Sequence, residues 1–376
     1  MSDKVFARAA FLQEISWIFF VFCCVVLLIF FQSAVHAGGK DEMQIIGNNT
    51  ALPTVVIIST GGTIAEKTDS ETGGAVPAVS GTELVKAVPG LTEIANIGVF
   101  QLCNIDSSQM TPEIWLKLSR KVNEYLDRAD IAGVVVTHGT DTMAEGAYFV
   151  DLTMQSEKPV VFTGAMNDAS SPFPDGPGNL MNAVIQAASK ESRGWGVTVT
   201  LNSYVNSARM VRKTHTTNVQ TFMSGEKGYL GYISGKKVLR LNNRLYRQFL
   251  PLPKVLPKVA YLSTYSGADG SLVRYAVDRD AKGLVIDGVG AGNVNEATFK
   301  AIKYALSKDV AVVISTSVYH GFVEPIYGDQ GGGKILADSG CLLAGNLKGH
   351  KARILLMLAL AHYGNDLERL KGVFGY

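Results

Sequence analysis

The chain has 376 residues, a length that suits two domains of ordinary size. Its composition, 47% hydrophobic and 18% charged, is that of a globular protein able to bury a sizeable core. A net charge of +2, with no basic run, gives no electrostatic footprint for nucleic acid and disfavours an acidic polymer as a partner.

A hydrophobic leader is predicted at the amino terminus. Residues 17–31 form an unbroken apolar run, preceded by Lys4 and Arg8 and followed by small residues up to Ala37. This pattern is typical of a secretory signal peptide. We therefore expect residues 1–37 to be a signal peptide that is cut after Ala37, and the mature protein to be periplasmic or secreted. An uncleaved membrane anchor is the alternative.

The predicted cleavage site after Ala37 separates the four cysteines into two pairs. Cys23 and Cys24 would leave with the leader, and the mature chain would keep Cys103 and Cys341. Their wide separation permits a disulfide but does not indicate one.

Downstream of a polar linker, strands and helices alternate. Apolar, β-branched runs predict strands at residues 55–58, 97–102, from 134, 159–163, 196–201, 259–262, 283–286 and 310–314. Among the helices between them, one opens at Ser80, and another has Thr111 as its N-cap with Pro112 at the first helical position. Residues 66–77 are polar, rich in glycine and without an apolar period, which predicts a long mobile loop.

This alternation predicts an α/β fold. We expect a larger N-terminal domain, residues 52–240, built on a doubly wound and mainly parallel sheet. A smaller C-terminal α/β domain would occupy residues 258–376. Residues 241–257, which contain Pro251, Pro253 and Pro257, are predicted to be the linker between them.

Polar clusters follow three of the predicted strands. Residues 60–63 read Thr-Gly-Gly-Thr, residues 104–108 read Asn-Ile-Asp-Ser-Ser, and residues 138–142 read His-Gly-Thr-Asp-Thr. Open α/β sheets bind ligands just beyond the carboxyl ends of their strands. We therefore expect Thr63 and Thr140 to face each other across one small pocket.

Other kinds of site have less support. The Gly-Gly turn lacks the third glycine of a dinucleotide fingerprint, and no Walker lysine follows it. The six histidines include no close pair and the mature cysteines are isolated, so no metal site is predicted. His138 could be a general base, but a packed position at a tight turn is the favoured interpretation.

The threonines can do chemistry only with help. A threonine hydroxyl attacks a carbonyl carbon when a base removes its proton and donors stabilise the oxyanion. Asp141 would supply a negative charge for a substrate ammonium. Lys213 is a candidate base, because a dry pocket lowers the pKa of a lysine. A solvated surface position for Lys213 is the competing interpretation, and spacing does not decide between them.

Two of these motifs together resemble a known family. Residues 60–65, Thr-Gly-Gly-Thr-Ile-Ala, and residues 138–142 closely resemble the paired signatures of bacterial L-asparaginases, including the glutaminase-asparaginases. The likeness continues through shorter motifs at residues 158–161, 164–166, 175–177, 290–293 and 351–353. It covers nearly the whole of residues 52–376, and two signatures in the right order and spacing are highly specific.

The resemblance implies hydrolysis of the side-chain amide of L-asparagine, with L-glutamine as a further candidate substrate, through a covalent acyl-enzyme and without a cofactor. Thr63 matches the family's nucleophile. Thr140, Asp141 and Lys213 match a second triad, in which the lysine polarises the threonine and the aspartate grips the substrate α-amino group. Ser107 matches the residue that binds the α-carboxylate.

The resemblance also implies an assembly. Asn293 matches a residue lent by a neighbouring subunit, which implies a homotetramer built as a dimer of dimers with sites at the subunit interface. Glu324 is a candidate for the glutamate that the family takes from the partner chain. The predicted leader fits the secreted branch of the family.

Two departures from the family's pattern affect the site. The family usually carries a tyrosine in its mobile loop that helps to activate the nucleophile, whereas residues 72–76 read Thr-Gly-Gly-Ala-Val. Tyr265 and Tyr319 are candidates to replace it. Ser108 stands where many secreted members have Gln or Glu, so it is a candidate substrate-binding residue whose preference does not carry over.

Two other functions remain open at this stage. Two α/β domains around a cleft also suit a periplasmic amino-acid-binding protein without catalysis. An amidase for protein-bound amides is the other alternative, although the expected role of Asp141 requires a free α-ammonium group.

Overall fold

A computed structural model describes residues 43–375 of the chain. The predicted signal peptide, residues 1–37, lies outside the described residues. No helix in the described part of the chain is long and apolar enough to cross a membrane.

The described chain alternates strands and helices through most of its length. Its strands are β1 (Gln44–Ile46), β2 (Thr54–Gly61), β3 (Glu66–Thr68), β4 (Ala75–Pro77), β5 (Asn96–Ile105), β6 (Ile131–Thr137), β7 (Val160–Thr163), β8 (Val197–Leu201), β9 (Tyr204–Ser207), β10 (Arg212–Lys213), β11 (Phe222–Met223), β12 (Gly231–Ser234), β13 (Lys237–Arg240), β14 (Val259–Ser263), β15 (Gly283–Gly288), β16 (Ala311–Thr316) and β17 (Leu342–Leu343). Its helices are α1 (Gly81–Lys86), α2 (Pro112–Asp127), α3 (Met143–Leu152), α4 (Gly176–Ala188), α5 (Ser271–Asp278), α6 (Glu296–Ser307), α7 (Gly333–Asp338), α8 (Gly349–Tyr363) and α9 (Leu367–Phe374).

Two sheets organise the molecule, as the sequence predicts. The larger sheet has nine strands in the order β1-β5-β2-β6-β7-β8-β9-β12-β13. From β5 to β8 its neighbours run parallel, while β9, β12 and β13 continue it in antiparallel pairs. The smaller sheet, β14-β15-β16-β17, is parallel throughout. The mainly parallel α/β fold with a smaller C-terminal sheet is confirmed.

The helix starts follow local capping rules. Ser80 precedes α1 and forms a reciprocal capping box with Glu83. The hydroxyl of Thr111 accepts a hydrogen bond from the backbone N–H of Ile114, and Pro112 stands in the first turn of α2. Both predicted starts are therefore confirmed.

Helices cover both faces of the larger sheet. On one face, Ile57 and Val135 pack against apolar residues of α4, including Leu180 and Val184. On the other, α2 and α3 join a cluster that also contains residues of β15 and α8. The smaller sheet thus shares apolar core with two helices that cover the larger sheet.

The prediction of an unstructured loop at residues 66–77 is wrong. Strands β3 and β4 pair there as an antiparallel hairpin, in register from Glu66 opposite Pro77 to Thr68 opposite Ala75. The turn is held by Asp69, whose carboxylate accepts hydrogen bonds from the N–H and hydroxyl of Thr72. A ribbon this short carries too few apolar residues to show an alternating pattern in the sequence.

Both cysteines of the described chain are free thiols. Cys341 is buried in the core around β15 and β16, and Cys103 is partly buried on β5. Burial raises the pKa of Cys103 to about 11.

Candidate active site

Three strand ends meet at the carboxyl edge of the larger sheet. Strand β2 lies between β5 and β6, and all three run parallel. The turns beyond them touch: a Cβ built on Gly62 would lie 2.2 Å from the Cα of Gly139, and one built on Gly139 would lie 2.6 Å from the hydroxyl oxygen of Ser107. Only glycine tolerates such contact. Thr63 and Thr140 each follow one of these glycines directly, so the two threonines stand on turns that contact each other.

Lys213 bonds to the second threonine. Its ammonium donates to Oγ1 of Thr140 at 3.0 Å and to Oδ1 of Asp141 at 2.6 Å. Thr140 is buried, the side chain of Lys213 is 20% exposed and that of Asp141 is 62% exposed. The structure therefore brings together three residues that are remote in sequence, with Lys213 ion-paired to Asp141 rather than enclosed in an apolar pocket.

A second lysine fixes the segment that leads to Lys213. Lys351 lies in the first turn of α8 and is buried, and its ammonium donates to the backbone carbonyls of Ala208, Arg209 and Val211. Burial lowers the pKa of Lys351 well below its ordinary value. Three carbonyl acceptors nevertheless match the three N–H donors of a protonated ammonium. Helix α8 thereby holds the backbone just before β10 in place.

Ser107 joins the third strand end to this group. It is buried, its hydroxyl accepts a hydrogen bond from the backbone N–H of Asp141 at 3.2 Å, and its carbonyl accepts one from the Thr142 hydroxyl at 2.8 Å. The Ser107 hydroxyl keeps its own proton as a donor. The neighbouring Ser108 is exposed and receives a hydrogen bond from Gln109.

Thr63 has an acidic neighbour that the sequence analysis missed. Thr63 opens a single 3₁₀ turn, Thr63–Ala65, and Glu66 closes it with its backbone N–H bonded to the Thr63 carbonyl. Side chains three apart align in a 3₁₀ turn. Accordingly, the Glu66 carboxylate lies beside the Thr63 hydroxyl, and Glu66 is only 6% exposed. Burial raises the pKa of Glu66, although the interaction with Thr63 opposes the rise.

His138 is a packed residue, as favoured from the sequence. It is completely buried, its Nδ1 lies 2.7 Å from the carbonyl oxygen of Gly139, and its ring packs against Phe162. Since a carbonyl only accepts, Nδ1 carries the proton and donates. Burial lowers the pKa of His138 to about 4, so the ring is neutral at physiological pH.

A cavity of about 260 Å³ opens beside Asp141 and Lys213. Arg212 and Tyr319 also line it, and the guanidinium of Arg212 lies 4.9 Å from the centre of the Tyr319 ring. Thr63, Thr140 and Ser107 are not part of its lining. The cavity therefore adjoins the threonine cluster on the side of Lys213. In the described part of the chain, no group of three or more His, Cys, Asp or Glu residues is arranged to hold a metal ion.

Comparison with known proteins places these motifs in a family. The model of the N-terminal asparaginase domain matches residues 54–246, and the model of the glutaminase/asparaginase C-terminal domain matches residues 258–374. Together they account for most of the chain.

The chain belongs to the asparaginase family.

Its relatives within the asparaginases match along most of their length. L-asparaginase 2 of Escherichia coli is 40% identical over 340 residues, which cover 88% of this chain and 95% of that protein. A probable periplasmic L-asparaginase of Haemophilus influenzae is 41% identical, covering 84% and 90%. The crystal structure of a probable cytoplasmic L-asparaginase from Campylobacter jejuni superposes with a TM-score of 0.78 at 39% identity, covering 86% of this chain and 99% of that one.

Asn293 and Glu324, which are expected to serve a neighbouring subunit, lie away from the threonine cluster of their own chain. The side-chain oxygen of Asn293 accepts a hydrogen bond from the backbone N–H of Gly333, at the start of α7. Glu324 is exposed, and its backbone N–H donates to the carbonyl of Ala291. Within the described chain, neither side chain contacts the threonine cluster.

The two candidate replacements for the missing tyrosine also differ in position. Tyr319 lines the cavity beside Lys213, whereas Tyr265 is 61% exposed and lines a separate pocket near α5. The contact that the structure gives to the Thr63 hydroxyl comes from Glu66 instead.

Proposed function

We propose that this protein hydrolyses the side-chain amide of L-asparagine to L-aspartate and ammonia. The observation that carries the proposal is the meeting of the two threonine turns, with Lys213 bonded to Thr140 and Asp141. The family match and relatives named L-asparaginase support the same reaction.

In this proposal Thr63 is the nucleophile. Its oxygen attacks the amide carbon, ammonia leaves, and water hydrolyses the resulting acyl-enzyme. Lys213 polarises the Thr140 hydroxyl on the facing turn through their 3.0 Å hydrogen bond. An ammonium so close to the cluster also stabilises negative charge that develops in the transition state.

The remaining groups of the cluster select a free amino acid. Lys213 binds Oδ1 of Asp141, so Oδ2 is available to a substrate α-ammonium group. The Ser107 hydroxyl, whose oxygen is already an acceptor for the Asp141 N–H, can donate its proton to the α-carboxylate. A free amino acid carries both charges at the spacing that these two adjoining groups can bind. Protein-bound amides lack them.

Ammonia release from purified residues 38–376 tests the proposal. L-asparagine and L-glutamine are compared under identical conditions, and Thr63→Ala should lose nearly all activity. An unchanged rate for Thr63→Ala would refute the nucleophile assignment. Reversible calorimetric binding of asparagine without ammonia would favour an amino-acid-binding protein, and activity on N-acylated asparagine would refute the role of Asp141.

We further propose a homotetramer in which Asn293 and Glu324 complete the site of a neighbouring subunit. The exposure of Glu324, and the contacts that Asn293 and Glu324 make outside the threonine cluster of the described chain, support this arrangement. Sedimentation measures the assembly state. Mixing inactive Thr63→Ala with Glu324→Gln subunits should restore part of the activity, because some sites would then combine two intact contributions; no recovery would contradict the shared site.

We also propose that the protein is exported and that it has two domains. The apolar leader supports a periplasmic or secreted protein, and cell fractionation with amino-terminal sequencing tests cleavage after Ala37. The two family matches support domains at residues 52–240 and 258–376 joined by a linker at residues 241–257.

A further inference from the structure

Glu66 occupies a position that the local fold does not require. The 3₁₀ turn from Thr63 is closed by backbone atoms, since the Glu66 N–H bonds to the Thr63 carbonyl whatever the side chain is. The carboxylate is nevertheless buried beside the Thr63 hydroxyl and interacts with it. The side chain is thus directed at the proposed nucleophile without serving the turn.

The surroundings of this carboxylate are unfavourable for its charge. In the described chain, Glu66 forms no salt bridge, and three nearby carboxylates, those of Asp106, Asp168 and Asp141, raise its pKa further. Burial is the larger cause of the raised pKa of Glu66, and these neighbours add to it. An ionised carboxylate buried without a cation reduces stability. Groups kept at such a cost are characteristic of functional sites.

We propose that Glu66 is the general base that activates Thr63, in place of the loop tyrosine that this chain lacks. The proposal rests on the proposed function. Among the residues that the structure describes, Glu66 interacts with the Thr63 hydroxyl and can remove its proton, whereas Lys213 bonds to the other threonine. A base of raised pKa also accepts a proton more readily near neutral pH than an ordinary glutamate does.

In the proposed reaction, Glu66 accepts each proton that is removed and returns it in the next step. As the Thr63 oxygen forms its bond to the amide carbon, the hydroxyl proton moves to Glu66 and the carbonyl electron pair moves to oxygen. When the C–N bond breaks, Glu66 returns that proton to the leaving nitrogen, which departs as ammonia. Water then attacks the ester, gives a proton to Glu66, and Glu66 returns it to the Thr63 oxygen as the acid is released.

The test compares Glu66→Gln and Glu66→Asp with wild type, and uses exposed Glu71→Gln of the same hairpin as the matched control. A glutamine oxygen still accepts a hydrogen bond from Thr63 but does not take its proton. We therefore expect Glu66→Gln to lower kcat by about 10²–10⁴-fold with little change in KM. Glu66→Asp should recover part of that loss, and Glu71→Gln should match wild type.

Two further readouts separate a base from a structural residue. In wild type, kcat/KM should fall at acid pH with a midpoint above 4.5, the ordinary pKa of a glutamate, and this limb should be absent from the residual activity of Glu66→Gln. The melting temperature of Glu66→Gln should equal or exceed that of wild type, because a neutral side chain removes the buried charge.

The outcomes are distinct for the two proposals. Ammonia release by wild type, with Glu66→Gln turning over at a wild-type rate, overturns the role of Glu66 and leaves asparagine hydrolysis intact. A wild-type enzyme that releases no ammonia overturns the proposed function itself. If Glu66→Gln does not fold, the wild-type pH profile still decides: a kcat/KM that is flat down to pH 4.5 refutes the base.

Discussion

The contact between the two glycine turns leads to a quantitative prediction for Gly62→Ala. Gly62 has φ 79° and ψ 177°, a conformation that is essentially restricted to glycine and costs another residue about 1–3 kcal/mol. The added Cβ would also lie 2.2 Å from the Cα of Gly139. Because unstrained carbon atoms lie about 3.5–4.0 Å apart, the two turns would have to separate by more than about 1 Å.

Both stability and activity should therefore fall. Strain and overpacking together predict that the free energy of unfolding decreases by about 2–6 kcal/mol, measured by urea denaturation. A displacement of about 1 Å between the threonines predicts a loss of about 100-fold in the rate of ammonia release, measured on the folded fraction. Gly62→Ala is thus expected to lower both the free energy of unfolding and the rate of ammonia release.

Gly73→Ala is the matched control. Gly73 also has a positive φ, 67°, but a Cβ there would meet no atom within 4 Å. Gly73→Ala should lower the free energy of unfolding only by the conformational cost of about 1–2 kcal/mol and should keep full activity. If Gly62→Ala and Gly73→Ala were alike in both stability and rate, the two threonine turns would not be in contact and the proposed site geometry would be wrong.

Three further predictions concern single side chains. Lys213→Met should lower kcat by about 10²–10⁴-fold with the fold intact, because Thr140 loses the ammonium that polarises it; steady-state rates measure this. Lys351→Met should lower the free energy of unfolding by at least about 2 kcal/mol, since three backbone carbonyls lose their donor; urea denaturation measures this. The pKa of His138, about 4, lies below the ordinary 6.5, so between these pH values the unfolded chain binds a proton that the folded chain does not. Stability should therefore fall by up to about 3 kcal/mol as the pH drops through this window, and His138→Asn should show a smaller dependence. Exposed Lys236→Met is the control for both lysine substitutions. If Lys213→Met or Lys351→Met behaved like Lys236→Met, the role assigned to that lysine would be wrong. An unchanged pH dependence of stability in His138→Asn would contradict the buried neutral ring.

The fold and the threonine pair were accessible from the sequence for a physical reason. Parallel strands buried on both faces produce long β-branched runs, and their carboxyl ends must share one edge of the sheet. Thr63, Thr140 and Ser107 each lie a few residues beyond the end of an apolar run. The hydrophobic pattern alone therefore predicted that their turns meet.

Other parts of the site depend on contacts that no pattern encodes. Lys213 lies on a two-residue strand whose place is set by Lys351 of a distant helix, so its approach to Thr140 has no local signal. Glu66 was overlooked because the hairpin around it has no apolar period and was taken for a loop. Its position three residues after Thr63, directly behind a Gly-Gly turn, was the available signal, since a single 3₁₀ turn brings such a pair together.

The apolar cluster that joins helices α2 and α3 to the smaller sheet limits how the protein can be divided or recombined. Trp115 of α2 and Phe149 of α3 belong to the same cluster as Val285 of β15 and Leu355 of α8. A fragment ending at residue 257 would expose one side of this cluster to water and also lack the Lys351 ammonium. Chimeras that join the amino-terminal half of one relative to the carboxyl-terminal half of another should fold only when the residues of both halves in this cluster are exchanged as a set.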